Sequence, residues 1–336
     1  MTDNRSGTWL VGAYTADMGG GATGIAELEA KADGSLELVG VAALADSPSY
    51  LAVDGDRVYA ASEAAGRIDV FSSDVAGSAT AGPLTLIGSV ESGGIEPCQL
   101  TVAGDRLLVS NYGSGTIGVV DTGSLKLVQV LEGSGSGPHV VQDGPHAHAT
   151  FLVDARTVLS ADLGADEVHV HSITPGGLSR IQTLALPGGT GPRDFVRHPS
   201  GVILMLAELS LELLVLEVVD GVLSVLGSCA IPGAEAGDHA AGISLSDDAR
   251  FAFVALRGSN RIAVLSLSTD GRTAEPVTSV ASEGEWPRHH AVDGDVLHVA
   301  NQISSSVASF RIAKNGELSL ISAPTFVPSP TFLLRG

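Results

Sequence analysis

The sequence predicts an all-β fold, a seven-bladed β-propeller of four-stranded antiparallel blades in one domain spanning 1–336, and three observations predict it. A unit of four short apolar runs separated by turn residues recurs along the chain. Forty-two glycines stand in a chain with few candidate helices, as many tight turns between short strands require. The first unit lacks an opening run while a surplus one stands at the C-terminus, which closes a ring and leaves no free sheet edge.

WLVGAYT (9–15) reads as a second strand ending near Tyr14, followed by GIAELEA (24–30) and SLELVGVA (35–42) as third and fourth strands. Opening strands then recur as PSYLAV (48–53), PCQLTV (97–102), PHAHATFLV (145–153), PRDFVRH (192–198), DHAAGISL (238–245), PRHHAV (287–292) and PTFLLR (330–335). Most are followed by a turn such as Asp54-Gly55-Asp56 or Asp293-Gly294-Asp295. Second apolar runs close on Glu63, Asn111, Asp162, Glu208, Arg257 and Asn301, at intervals of 48, 51, 46, 49 and 44 residues. Third runs (RIDVF, TIGVV, EVHVH, LELLVLEV, RIAVL, SVASF) and fourth runs (LTLIG, LKLVQV, LSRIQTL, LSVLG, LSLIS) complete the units. The last strand, PTFLLR, completes the first blade. A solenoid would need polar capping repeats, and none is visible.

Composition bounds the function. Apolar residues make up 44% of the chain and charged residues 17%, ample for a core and unlike a disordered chain. A net charge of −20 argues against nucleic acid or an anionic membrane surface as partner. Cys98 and Cys229 form no disulfide framework or metal-type spacing and read as small buried hydrophobes. The N-terminus carries no signal-peptide-like apolar stretch and no segment reaches membrane-span length, so the expected location is the cytoplasm. A closed ring needs no partner, so a monomer is expected.

In a propeller, equivalent positions converge on the central channel. The residues closing the second strands are expected to form one ring: Tyr14, Glu63, Asn111, Asp162, Glu208, Arg257 and Asn301. Those opening the first strands form another: Gln99, His146, His148, Arg193, Asp194, His239, Arg288 and His289. Any one of these can simply meet water or a loop backbone. Three arginines, several histidines and a lone Glu in register, in a chain with 18 Lys and Arg together, point instead to a binding or catalytic site. His146 and His148, two apart on an extended segment, face one side and could hold a metal with Glu208 or Asp162, but channel histidines without metal are the reading adopted. There is no G-x-S-x-G for a serine nucleophile and no phosphate loop preceding a helix.

Through NYGSGT (111–116), PHAHA (145–149), ADLGADEVHV (161–170), GPRDFVRHP (191–199), AELS (207–210), ALRGSNRIAV (255–264) and WPRHHAV…VANQ (286–302), essentially the whole chain resembles the seven-bladed propeller lactonases of the 6-phosphogluconolactonase type, to which fungal muconate-lactonizing enzymes are related. The resemblance implies a catalytic set of His148, Arg193, Glu208 and Arg257, no metal and no cofactor, and an anionic lactone as small-molecule substrate. His146, Asn111, Gln99, Arg288, His289 and Asn301 are the expected substrate-binding residues. The chain departs from the family pattern at Ala207, where Asn is usual, at Gly242, where an acid is frequent, and at Gln99, where His is usual. The chemistry fits ester-like ring opening: Glu208 or His148 activates water while guanidinium groups stabilise the oxyanion and hold anionic groups. A lactonase acting on 6-phosphogluconolactone is the leading expectation. A muconate-type cycloisomerase and a non-enzymatic binding propeller are the alternatives, the last weakened by a shortage of Trp and Tyr anchors.

Overall fold

The computed structural model describes residues 7–73 and 82–336. Seven antiparallel sheets follow one another around a ring. Blade 1 pairs Pro330–Arg335 with Thr8–Ala13, then Gly24–Ala30 and Leu36–Leu44, so the last strand of the chain opens the first blade as expected. Blades 2 to 6 open with Pro48–Asp54, Pro97–Ala103, Ala147–Leu152, Pro192–Arg197 and His239–Leu245, and blade 7 with Pro287–Asp293. In blade 7 the outer position is shared by Leu318–Leu320 and Thr325–Phe326, which both pair with Ser306–Ile312. The opening strands of successive blades touch in ring order, from Pro330–Arg335 through Pro287–Asp293 and back.

The core has no centre. It consists of seven apolar clusters, one between each pair of neighbouring blades. The run Ile203–Ala207 shows how the sequence builds it. Leu204 and Leu206 pack toward blade 6, whereas Ile203, Met205 and Ala207 pack toward blade 4. Side chains alternate across a strand, and both faces of a blade are covered, so the run is continuously apolar rather than alternating. Each such buried Leu, Ile or Met contributes about 1.5–3 kcal/mol. Glycine is required where blades close on each other. At Gly115, φ is +64° and a Cβ would lie 2.4 Å from the Pro145 carbonyl oxygen.

Every opening strand carries a β-bulge in its pairing with the second strand, and the extra residue is Thr331, Ser49, Cys98, His148, Arg193, the Ala241–Gly242 pair or Arg288 in blades 1 to 7. A bulge re-aims a side chain out of the ladder, and here it aims one from each blade at the channel. Several bulge side chains reach the carbonyl of the next blade's bulge: Thr331 Oγ1 to Ser49 at 2.9 Å, Cys98 Sγ to His148 at 3.5 Å, and Arg193 Nε to Ala241 at 2.6 Å. No helix among the described residues is long and apolar enough to cross a membrane.

Candidate active site

Two sets of positions build one site. The bulge residues form the channel wall. The residues immediately after the second-strand pairing ends, among them Tyr14, Glu63, Tyr112 and Glu208, form the mouth with Arg257, the last paired residue of its strand. Together Tyr14, Glu63, Tyr112, Glu208, Arg257, Cys98, His148, Arg193 and Arg288, with Met18 and Glu96 above, line a cup of 220 Å³. Beneath it lies a more enclosed chamber of 50 Å³ reached by Ser49, Tyr50, Gln99, Asp194, His289 and Thr331. That is room for about three or four water molecules. Cys98, His148, Arg193 and Arg288 line both spaces.

Glu208 holds the cup's charge in place. Its Oε1 accepts from Arg257 Nη2 at 2.7 Å and from His239 Nδ1 at 2.8 Å, while Oε2 accepts from Arg193 Nη1. Glu208, Arg193 and Arg257 are each only 6% exposed. Burial by itself raises a carboxyl's pKa, but the Arg257 and Arg193 guanidiniums and the His239 hydrogen bond outweigh it, and Glu208 is held well below the usual carboxylate range. Burial pushes Arg257 down to about 9, with Glu208 opposing, so it stays charged at neutral pH. Arg257 also lies over the Trp286 ring at 5.4 Å. Among the described residues, Arg193 Nη2 and Arg257 Nη1 have no protein partner and are free to meet an anion.

His148 stands beside this pair. Burial, then the Arg193 charge, lowers its pKa well below that of an ordinary imidazole, so the ring is neutral at pH 7. Neither ring nitrogen has a hydrogen-bond partner among the described residues, and the ring meets Tyr112 edge-on with centroids 5.9 Å apart. Across the cup, Arg288 lies over the Tyr14 ring at 4.9 Å, and Tyr14 Oη donates to Glu63 Oε1 at 2.9 Å.

The predicted catalytic set His148, Arg193, Glu208 and Arg257 is therefore brought together, and Arg288 joins it. The substrate-binding expectations fare differently. Asn111 and Asn301 are fully buried and turn away from the cup; their side-chain amides donate to the Ser92 and Ser282 carbonyls at 3.1 and 3.0 Å. Asp162 caps backbone amides of His146, Gly164 and Ala165. The reason is register. Asn111, Asp162 and Asn301 are the last paired residues of their strands, whereas Glu63 and Glu208 come one position after the equivalent Ser62 and Ala207. One residue flips a side chain to the other face, so the expected first ring mixes two faces.

Gln99 is a second correction. Its amide is spent on Thr150 N at 2.9 Å, Thr101 Oγ1 at 2.9 Å and neighbouring groups, clamping blade 3 to blade 4. His146 stacks on Tyr112 and contacts Asp143 and the Tyr112 carbonyl, outside the cup lining. His289 packs on Phe332 and lines only the inner chamber. Asp194 also faces that chamber, and burial raises it to about 6. Of the departures, Ala207 is buried against blade 4 and a Cβ on Gly242 would meet only His290 and Arg288 at ordinary contact distance. Among the described residues, no three His, Cys, Asp or Glu side chains converge as metal ligands. Tyr112 and Cys98 escaped the sequence reading; counting one residue past Asn111, and aligning Pro97-Cys98 with Pro192-Arg193 and Pro287-Arg288, was the signal available.

The chain is similar to known proteins over nearly its whole length. A family model described as lactonase, 7-bladed beta-propeller, matches residues 8–334. A 6-phosphogluconolactonase of Bacillus subtilis is 29% identical over 339 residues, covering 95% of each chain. Among solved structures, a Lactobacillus plantarum protein superposes with a TM-score of 0.90 at 28% identity, over 98% of this chain and 99% of that one. A periplasmic gluconolactonase of Pseudomonas aeruginosa superposes with a TM-score of 0.87 at 26% identity, over 98% of each chain. With the family model spanning nearly every residue and the ring closed by its own last strand, the chain belongs to the seven-bladed β-propeller lactonase family.

Proposed function

We propose that this protein hydrolyses a sugar lactone, with 6-phosphogluconolactone as the substrate, by metal-independent general-base activation of water. The observation that carries the reading is the pair of guanidiniums clamped on Glu208 beside a neutral His148, with one nitrogen of each guanidinium and both His148 ring nitrogens unpartnered among the described residues. Similarity to the Bacillus subtilis 6-phosphogluconolactonase supports the choice of substrate.

The carbonyl oxygen of the lactone would sit against Arg193 Nη2 and Arg257 Nη1, whose charge stabilises the oxyanion as it forms. Both Glu208 oxygens are occupied by three donors, which makes Glu208 a poor proton acceptor and a good anchor. His148 is the base in this reading. Water attacks the carbonyl carbon and passes a proton to His148. The tetrahedral intermediate collapses with cleavage of the ring C–O bond, and His148 returns the proton to the departing alkoxide. Since His148 lines both spaces, the inner chamber can hold the attacking water beneath a lactone seated in the cup. Arg288, with only a long 3.5 Å contact from Nη1 to Gln302 among the described residues, supplies positive charge for a phosphate.

The test is lactone disappearance above the spontaneous rate in chelator-containing buffer. His148→Ala is expected to lower kcat by about 100-fold or more. Full activity in His148→Ala, with wild type active, would remove His148 as the base; no acceleration by wild type on any sugar lactone would remove the hydrolase reading.

A further inference from the structure

Glu63 is a second carboxylate in the cup, and the mechanism above does not use it. It lies on blade 2 in the same mouth register as Glu208 but has the opposite environment. Glu208 is saturated by two arginines and a histidine. Glu63 receives one hydrogen bond, from Tyr14 Oη to Oε1, and its Oε2 is buried with no hydrogen-bond partner among the described residues. The residue is 6% exposed and lines the cup. Leaving a buried carboxylate oxygen without a hydrogen bond costs free energy, which a hydroxyl donating at that place would recover. Arg193 and Arg257 are committed to Glu208, and Arg288 lies over Tyr14 without a hydrogen bond to Glu63.

We propose that Glu63, fixed by Tyr14, is a hydroxyl-recognition subsite that selects polyhydroxylated lactones over lactones without ring hydroxyls. The inference rests on the lactonase reading and adds what chooses the substrate. A carboxylate oxygen can only accept, so its natural partner in a small neutral ring is an O–H. Tyr14 uses one oxygen and thereby sets the carboxylate's orientation, so the other points at a defined place. A site built to bond a hydroxyl rejects the analogue lacking it strongly, because the buried acceptor is then desolvated for nothing. The cup's size agrees: 220 Å³ is below the 300–1,000 Å³ or so of pockets for drug-sized ligands and suits a small ring.

The experiment compares kcat/KM for a polyhydroxylated lactone (6-phosphogluconolactone or glucono-1,5-lactone, whichever wild type turns over faster) with that for δ-valerolactone. The readout is the ratio of the two, which discounts any general loss from misfolding. Glu63→Gln is expected to lower the ratio about 10-fold and Glu63→Leu about 100-fold, mostly through KM for the hydroxylated lactone. Tyr14→Phe, which removes only the orienting bond, should lower it less than Glu63→Leu. A ratio within twofold of wild type in both Glu63 variants would overturn the subsite while leaving the hydrolase intact. Wild type inert on all the lactones would overturn the hydrolase reading and the subsite with it.

Discussion

Glu208 and His148 show how one cup assigns opposite roles to two titratable residues. Desolvation works against charge at both. At Glu208 the Arg257 and Arg193 charges win and the group stays ionised; at His148 burial and Arg193 act together and the ring stays neutral. Glu208→Gln leaves two buried guanidiniums facing each other without their counter-charge, and should cost about 3–5 kcal/mol of stability in denaturant unfolding. A loss under 1 kcal/mol would mean that solvent screens the cluster. Because His148 is deprotonated well above its lowered pKa, kcat/KM should stay flat from about pH 8 down to about pH 6. An acid limb centred near 6.5, the ordinary imidazole value, would assign the base to a histidine in an unperturbed setting.

At the scale of the strand, the repeated bulge is what turns a stack of blades into a site. Arg193 and Arg288 each follow an opening proline in sequence and are the extra residues of their blades' β-bulges. The chain enters several of these strands through a left-handed residue before the proline, at Ser47, Glu96, Gly191, Trp286 and Ser329. That entry carries Glu96 to the cup rim and Trp286 beneath Arg257. Ring closure is testable here. Truncation after Ser329 removes Pro330–Arg335, the partner of Thr8–Ala13, together with the buried Phe332 and Leu333. Those two side chains alone contribute at least about 3 kcal/mol. The truncated chain should therefore melt well below wild type and become protease-sensitive in blade 1. An unchanged melting temperature would show that the closing strand is dispensable.

For the whole molecule, acid stability is set by buried histidines. Burial lowers His169 and His290 to about 4, His171 and His289 to about 3, and His148 well below 6.5. Their folded values lie below the unfolded one, so the unfolded chain takes up protons that the folded one cannot. Stability is full above about pH 6.5 and falls as pH drops toward the folded values, by up to about 1.4 kcal/mol per pH unit for each histidine. Asp194, raised by burial to about 6, has the opposite sign: it stabilises below its unfolded value and loses that as pH rises through 6. Asp162 and Glu167, also raised by burial, act in the same direction. Five histidines outweigh three acids in this window. The melting temperature should fall steadily from pH 7 to pH 5; a rise over that range would mean the histidines are hydrated in the folded state.

The repeat, the number of blades and the closure by the last strand are legible in the sequence, because turn chemistry and apolar runs are local and recur seven times. The resemblance of its motifs to the lactonases named the candidates His148, Arg193, Glu208 and Arg257, which the fold brings together around one cup. Tertiary structure alone decided which of the strand-end residues face the channel. Asn111, Asp162 and Asn301 close their apolar runs as Glu208 does, yet they sit one pairing position earlier and face into the blade stack. A side chain's face has period two, and a slip of one residue is invisible in composition but inverts the outcome. Partnering was equally illegible: that Glu208 is saturated, while one Glu63 oxygen has no hydrogen-bond partner among the described residues, depends on groups brought from blades far apart in the chain.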